Sequence, residues 1–489
     1  ARLAAMKRLF RVLVLALVTL GSIALVRGRR PTGLAGGLRT GRAARNAQLA
    51  GVGTRIGAAT AANKAKRVFA SAERKVELDA ELELATAAEV TAALGNMKGA
   101  LMKLGQMASY LDDGLPEPLR EALASLQADA PPMSASLAAG VVEAELGRPP
   151  TEVFAEWDPV PIAAASIGQV HRAMTHDGRA IAVKVQYPGV DEAIAADLDN
   201  SDFLVRLMGL LFPGLEPGPL VQELRDRLTE EVDYRLEADN QRLFADFYRG
   251  HPLIHVPDVI DELSTGRVLT TELAPGVRLA EVTTSWSREE QDLAGETIFR
   301  FVFRSLYRLH SFNGDPHPGN YLFEPGGRVT FLDFGLVKRF TPSEVDLFES
   351  MVRTIVLERD GDAFRRILEG ANVLKPGSGM TGPEVLDWFG YFYEFVLRKE
   401  ESSFTHEYAA ASVQKLFSRT GDVAKFGNVP PSFVLIQRIN LGLYAVLAEL
   451  GATANWRAIA EELWPMTSAP PSTASGRAEA VWLEMAERR

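Results

Sequence analysis

Asn313-Gly314-Asp315-Pro316-His317-Pro318-Gly319-Asn320, followed by Phe331-Leu332-Asp333-Phe334-Gly335, is the stretch on which the fold is decided. Asp-Pro and Asn-Gly are common turn dipeptides, so either piece alone reads as a surface turn. Taken in order the two pieces say more. Asp315 and Asn320 stand five residues apart, and a β-like run joins them to Asp333. An amide and a carboxylate, Asn320 and Asp333, are hard oxygen donors of the kind that suit Mg²⁺. Asp315 is left over as a second carboxylate beside them.

That order resembles the catalytic and metal-binding loops of kinases. Phosphoryl transfer needs a carboxylate beside the nucleophile and oxygen ligands that hold Mg²⁺ on the phosphates. Asp315 fits the base or water-positioner, and Asn320 and Asp333 fit the metal ligands. Upstream, Ile181-Ala182-Val183-Lys184 fits the strand lysine whose ammonium pairs with the α- and β-phosphates. Its partner is expected on the following helix, where Glu231, Asp233 and Glu237 are candidates. Asp233 and Glu237 are one turn apart and share a face, although such acids are commonly a solvated helix side. Where a Gly-rich loop belongs, the chain has Pro161-Ile162-Ala163-Ala164-Ala165-Ser166-Ile167-Gly168-Gln169-Val170. Glycines let backbone N–H groups approach phosphates. The methyl groups of Ala163, Ala164 and Ala165 predict an altered cradle, with Ser166 at its end. Glu272 and Ala274, in Thr271-Glu272-Leu273-Ala274, stand where a hinge would hydrogen-bond adenine through its backbone.

Three runs together resemble the UbiB/AarF family of atypical kinases: Ala163–His171, the Glu231-x-Asp233-Tyr-x-x-Glu237-Ala run, and Asn313–Asn320. Lys103-Leu104-Gly105-Gln106 is similar to the Lys-x-Gly-Gln signature of that family. The resemblance covers roughly residues 70–460. It implies an α+β, two-lobed protein-kinase-like fold with an N-terminal helical extension and a predominantly helical C-lobe. It also implies ATP and Mg²⁺ as cofactors, ATPase-like activity, and a role in ubiquinone-like isoprenoid lipid biosynthesis or handling. By the same resemblance Glu231 and Asp233 form the Glu-x-Asp motif, Glu237 pairs with Lys184, and Lys103 and Gln106 reach the nucleotide. Independently, Met97, Leu101 and Leu104 make an apolar stripe, and Lys103 and Gln106 fall on the opposite face of that helix.

Composition sets outer limits. The 489 residues are 47% hydrophobic and contain no cysteine, which excludes disulfides, zinc–thiolate sites and cysteine nucleophiles. The net charge of −10 hides an asymmetry: residues 1–75 hold 16 Lys and Arg against the single acid Glu73. A basic arm on an acidic body suggests contact with an anionic surface through the arm. Val12–Val26 carries no charge and is flanked by Arg and Lys. It reads as a membrane anchor, as a cleavable signal peptide, or as a buried or interfacial helix. Basic residues after it favour a cytoplasmic location for the rest, membrane-associated, with anionic lipid rather than nucleic acid as partner.

The expected organisation is a basic N-terminus with an anchor (1–30), a Gly/Ala/Arg-rich linker (31–65), a helical extension (66–150), an N-lobe (151–275), a C-lobe (276–465) and a polar tail (466–489). Peptide kinases carry a long activation segment after Asp-Phe-Gly. Here Leu336–Phe340 leads directly to Thr341-Pro342-Ser343-Glu344, a capping-box helix start. That spacing argues for a small-molecule acceptor or for hydrolysis. The expected partners are ATP, an anionic membrane surface, an isoprenoid or quinone-like lipid, and lipid-biosynthesis proteins. The rival readings are a conventional protein or small-molecule kinase and a non-catalytic nucleotide-sensing lipid chaperone.

Overall fold

A computed structural model describes residues 133–165, 167–190, 232–314, 316–377, 379–417, 431–486 and 488. The expected anchor, linker and Lys103/Gln106 helix lie outside these residues.

Helix α1 (Ala135–Leu146) opens the described chain, capped by Ser134 and closed by Gly147 at φ 74°. It lies on a sheet of β1 (Glu156–Ala165), β2 (Gly168–Met174), β3 (Ala180–Gln186) and a later strand, β5. Helix α2 (Tyr234–Phe247), β4 (Ile254–His255) and β5 (Val268–Glu272) follow. The sheet order is β1-β2-β3-β5, and every neighbouring pair is antiparallel. In β3 the alternation of the sequence decides the two faces. Ile181, Val183 and Val185 are fully buried against Ala138 and Val142 of α1, which turns Ala182 and Lys184 to the opposite side.

The Ala-rich run is strand rather than loop. Ala163, Ala164 and Ala165 pair with Val170, Gln169 and Gly168, so the strands run up to a short tip at which Ile167 is the described residue. Alanines can hold β geometry where a glycine loop would cost more chain entropy. The tip is also tied back, because the Tyr187 N–H donates to Ile167 O at 2.9 Å. Gly168 is required there: a Cβ would stand 2.3 Å from Val185 O and 2.8 Å from Tyr234 Oη. Of the β-like segment expected at 253–260, only Ile254 and His255 pair as strand, parallel to β8.

The second lobe is helical: α3 (Leu279–Ser285), α4 (Arg288–Arg308), α5 (Pro342–Val352), α6 (Gly361–Gly370), α7 (Gly382–Gly390), α8 (His406–Phe417), α9 (Pro431–Leu450), α10 (Trp456–Leu463) and α11 (Ala474–Ala486). Between α4 and α5 run four short strands, β6 (Ser311–Asn313), β7 (Tyr321–Glu324), β8 (Arg328–Phe331) and β9 (Val337–Arg339). The capping box at Thr341 and Glu344 forms as its sequence predicts. Phe389 and Phe395 are buried in the main apolar cluster with Tyr444 and Trp456, and Phe392 is buried as well, so these aromatic residues are core. Among the described residues no helix is long and apolar enough to cross a membrane.

Residues 466–489, expected as a disordered polar tail apart from a short helix at its end, carry helix α11, which is docked. The reason is a buried charge partner that composition does not reveal. Glu479 is 1% exposed and receives Arg300 and Arg304 from α4, each at 2.9 Å. Burial alone would raise its pKa, but His251, Arg304 and Arg300 together hold it well below the usual carboxylate range.

Candidate active site

Three elements meet at Lys184. Strand β3 presents the ammonium, which donates to both carboxylate oxygens of Glu237 on α2, at 2.7 and 2.8 Å. Asp333 Oδ2 lies 3.5 Å from the same nitrogen. Its side chain is 29% exposed, against 4% for Glu237 and 16% for Lys184. Glu237 is therefore the committed structural partner, while Asp333 opens to solvent. The ring of Tyr234 sits under the ammonium, 5.1 Å from its centroid. Burial works against the charge of Lys184, but Asp333 and Glu237 outweigh it and raise its pKa well above the ordinary lysine value.

Asp333 is held by its own backbone and by its neighbours. Gly335 N–H donates to Asp333 Oδ1 at 2.9 Å, and Asn313 Nδ2 donates to Asp333 O at 2.7 Å. Asn320 is brought beside it by the β7–β8 hairpin, in which Leu332 N–H donates to Asn320 O and Tyr321 pairs with Phe331. The two oxygen donors thus stand at one end of one hairpin. Arg278 Nη1 braces the same loop by donating to Gly319 O at 2.6 Å. Gly314 N–H donates to Leu336 O, and Gly442 of α9 approaches Pro316 so closely that a Cβ would meet its Cγ at 2.3 Å. Both neighbours of Asp315 are fixed in this way. Asp315 itself, with Ser166, Glu231, Lys103 and Gln106, lies outside the described residues.

The other expected residues fall around this centre. Ala163, Ala164 and Ala165 form the end of β1 beside the hairpin tip. Asp233 is the N-cap of α2, its carboxylate accepting from Arg235 N–H at 3.0 Å. Glu272 ends β5 and pairs with His255 at 3.3 Å, which holds its pKa low. Leu273 N–H is committed to Ala180 O, and Ala274 follows directly after it.

Sequence reasoning missed two asparagines and a glutamine. Asn240, one turn after Glu237, donates to Phe334 O at 3.1 Å and accepts from Arg339 at 3.3 Å. With Asn313 on Asp333 O, the two amides bracket the Asp-Phe-Gly backbone. In a sequence Asn240 looks like any polar helix residue and Asn313 like a turn residue, so no signal marks either role. Gln169, inside the Ala163–His171 run, clasps the Met133 backbone from both amide atoms, while His171 beside it stacks on Trp157. Gln169 thus ties the hairpin to the segment before α1, and His171 fastens the hairpin within itself.

Replacing Asn240 with alanine is expected to cost about 1 kcal/mol of stability for the lost hydrogen bond. Because it frees the Asp-Phe-Gly backbone, it should also weaken ATP–Mg²⁺ binding by a few-fold. Denaturant unfolding beside a nucleotide titration reads both effects.

Residues 125–368 match a family model described as the ABC1 atypical kinase-like domain. The chain belongs to the ABC1, or UbiB/AarF, family. Its curated relatives include "Atypical kinase COQ8B, mitochondrial" of Rattus norvegicus, 34% identical over 296 residues, covering 60% of this chain and 54% of that one. "Protein ACTIVITY OF BC1 COMPLEX KINASE 3, chloroplastic" of Arabidopsis thaliana is 32% identical over 360 residues, covering 70% and 48%. This ABC1 chain spans about half the length of the curated relatives it matches. A solved structure, the complex of Rv3197 with erythromycin from Mycobacterium tuberculosis, is 34% identical with a TM-score of 0.59, covering 80% of this chain and 98% of that one. The family is kinase-like, which implies ATP binding and places the chain in the kinase/ATPase class.

Proposed function

We propose that this ABC1 protein binds ATP with Mg²⁺ in the cleft around Lys184 and transfers the γ-phosphoryl group to water or to a small acceptor. The observation that carries this reading is Lys184 held by Glu237 and facing Asp333, residues 53 and 149 positions away in the chain. Such a cation, fixed but not consumed, suits the α- and β-phosphates. Asn320 and Asp333 would hold Mg²⁺. The donor set fits, because an amide and a carboxylate offer hard oxygens, and Mg²⁺ characteristically takes one or two protein oxygens and completes its shell with phosphates and water. When bound, the ion would neutralise charge on the phosphates.

The protein's own groups supply the rest. Asp315 would take the proton of the attacking oxygen as the bond from the γ-phosphorus to the ADP oxygen breaks. Ala163, Ala164, Ala165 and Ser166 would close over the phosphates, and the backbone from Glu272 to Ala274 would receive adenine. Lys103, Gln106, Glu231 and Asp233 are assigned to the nucleotide side by their family motifs. The short Leu336–Phe340 segment is used up as β9, which pairs with β6. That leaves no platform there for a peptide and favours water or a small molecule.

The basic arm of residues 1–75 and the uncharged run 12–26 support a membrane-associated protein with its kinase domain on the cytoplasmic side. The family supports a role with ubiquinone-like isoprenoid lipids and with lipid-biosynthesis proteins. The test is γ-labelled ATP supplied to purified protein, with and without anionic liposomes containing a quinone-like lipid, and with erythromycin as a further probe because the Mycobacterium relative was solved with it. Free phosphate, increased by the liposomes, is the expected outcome. Label on a protein acceptor would favour a conventional kinase, and nucleotide binding without turnover would favour a lipid chaperone.

A further inference from the structure

Helix α2 carries both Glu237 and Asn240, and its far end is gripped by the C-terminal helix. Tyr248, just past α2, donates its hydroxyl to Phe301 O at 3.1 Å and lies 2.8 Å from Ser305 Oγ, both on α4. The indole of Trp482 on α11 covers the same place. Its Nε1–H donates to Arg249 O at 3.2 Å. Its ring lies nearly parallel to that of Tyr248, with centroids 6.1 Å apart and 12° between planes, and meets the His251 ring at 4.6 Å. One turn before it, Glu479 receives Arg300 and Arg304. Charge therefore fastens α11 to α4, and the indole clamps the turn that follows α2.

From Glu237 to Tyr248 the axis runs about 16 Å at 1.5 Å per residue. A regular helix transmits tilt along that length, so whatever fixes its last turn limits the swing of its first. In the N-terminal turn Arg235 and Leu236 are exposed, while Tyr234, Glu237, the Asp233 cap and the bond from Tyr234 N–H to Gly266 O anchor it. A docked helix can open locally without global unfolding. If Glu479 leaves, Arg300 keeps Glu296 and Glu462, each at 2.7 Å, while the buried Arg304 gives up its carboxylate.

We propose that Trp482 and Glu479 are positioning residues for the Lys184–Glu237 pair, with the C-terminal helix fixing the pivot of α2 and so setting how firmly Glu237 holds Lys184. The inference rests on the reading of this cleft as a nucleotide site, but its first readout does not depend on nucleotide. The full chain is compared with W482A, W482F, E479Q and, as a control in the helical core, I459V. Amide hydrogen exchange over residues 234–240 is measured without nucleotide, and ATP–Mg²⁺ affinity is measured at a temperature where every variant is folded.

W482A is expected to speed exchange in that turn roughly tenfold and to weaken ATP–Mg²⁺ binding roughly fivefold. W482F, which keeps a ring but not the N–H, should fall between W482A and wild type, and I459V should change neither readout. Should W482A fail to fold, W482F and E479Q carry the comparison. Exchange and affinity in the Trp482 and Glu479 variants that match I459V, despite lowered melting temperature, would overturn the proposal and leave α11 as ordinary packing. Faster exchange in a protein that does not bind ATP would uphold the pivot and overturn the nucleotide reading instead.

Discussion

Lys184→Ala is expected to abolish stabilisation by ATP–Mg²⁺ and to cost the unliganded fold about 3–5 kcal/mol, the usual result of removing one partner from a buried ion pair. Glu237 bears this cost, because its carboxylate is 4% exposed and both of its oxygens lie on the lysine. Asp333 is more open and can turn to water. In the wild-type protein the folded-state pKa of Lys184 is raised. Its contribution to stability is therefore present below the ordinary lysine value of about 10.4 and is lost only as pH rises through the raised one, so the neutral range is unaffected.

The variant inverts this behaviour. Burial without the lysine favours the neutral form of the Glu237 carboxyl, so protonation at low pH should relieve part of the cost. The gap between wild type and variant should narrow on acidification from pH 8 to pH 5. Thermal unfolding across that range, with and without nucleotide, provides the check. A constant gap, or a nucleotide shift that survives the substitution, would remove Lys184 from the centre of the site.

Asp333→Asn carries the second large effect. At a hundredfold excess over its dissociation constant a ligand stabilises the folded state by about 2.7 kcal/mol. The substitution should erase the part of that gain that depends on Mg²⁺. Asparagine is nearly isosteric and its oxygen can still accept from Gly335 N–H, so the loop is retained while the charge is lost. The unliganded protein should melt close to wild type, and ATP without metal should bind much as before. Titration of Mg²⁺ at fixed ATP separates these arms. An undiminished Mg²⁺ response would place the metal elsewhere.

Much of the fold could be read before any coordinates because its signals are local. Ile181-Ala182-Val183-Lys184 reads as an apolar strand that carries a lysine, as β3 does, and Thr341-Pro342-Ser343-Glu344 starts a helix where its chemistry says it should. The illegible parts depend on distant pairing. Nothing near Glu479 announces that Arg300 and Arg304 lie almost two hundred residues back, so a buried latch read as a solvated tail. Asn240 and Asn313 serve carbonyls on another segment and have no spacing of their own to betray them. The alanines of β1 were expected as a reshaped loop because glycine was absent. Their role as strand follows from register with Gly168–Val170, which only the folded sheet fixes.

The strand that replaces the activation segment bears on control. From Gly335 to Phe340 the chain has no serine, threonine or tyrosine, and the hydroxyl of Thr341 is already spent on the amide of Glu344. A regulatory phosphate thus has no foothold in the interval where many kinases receive theirs.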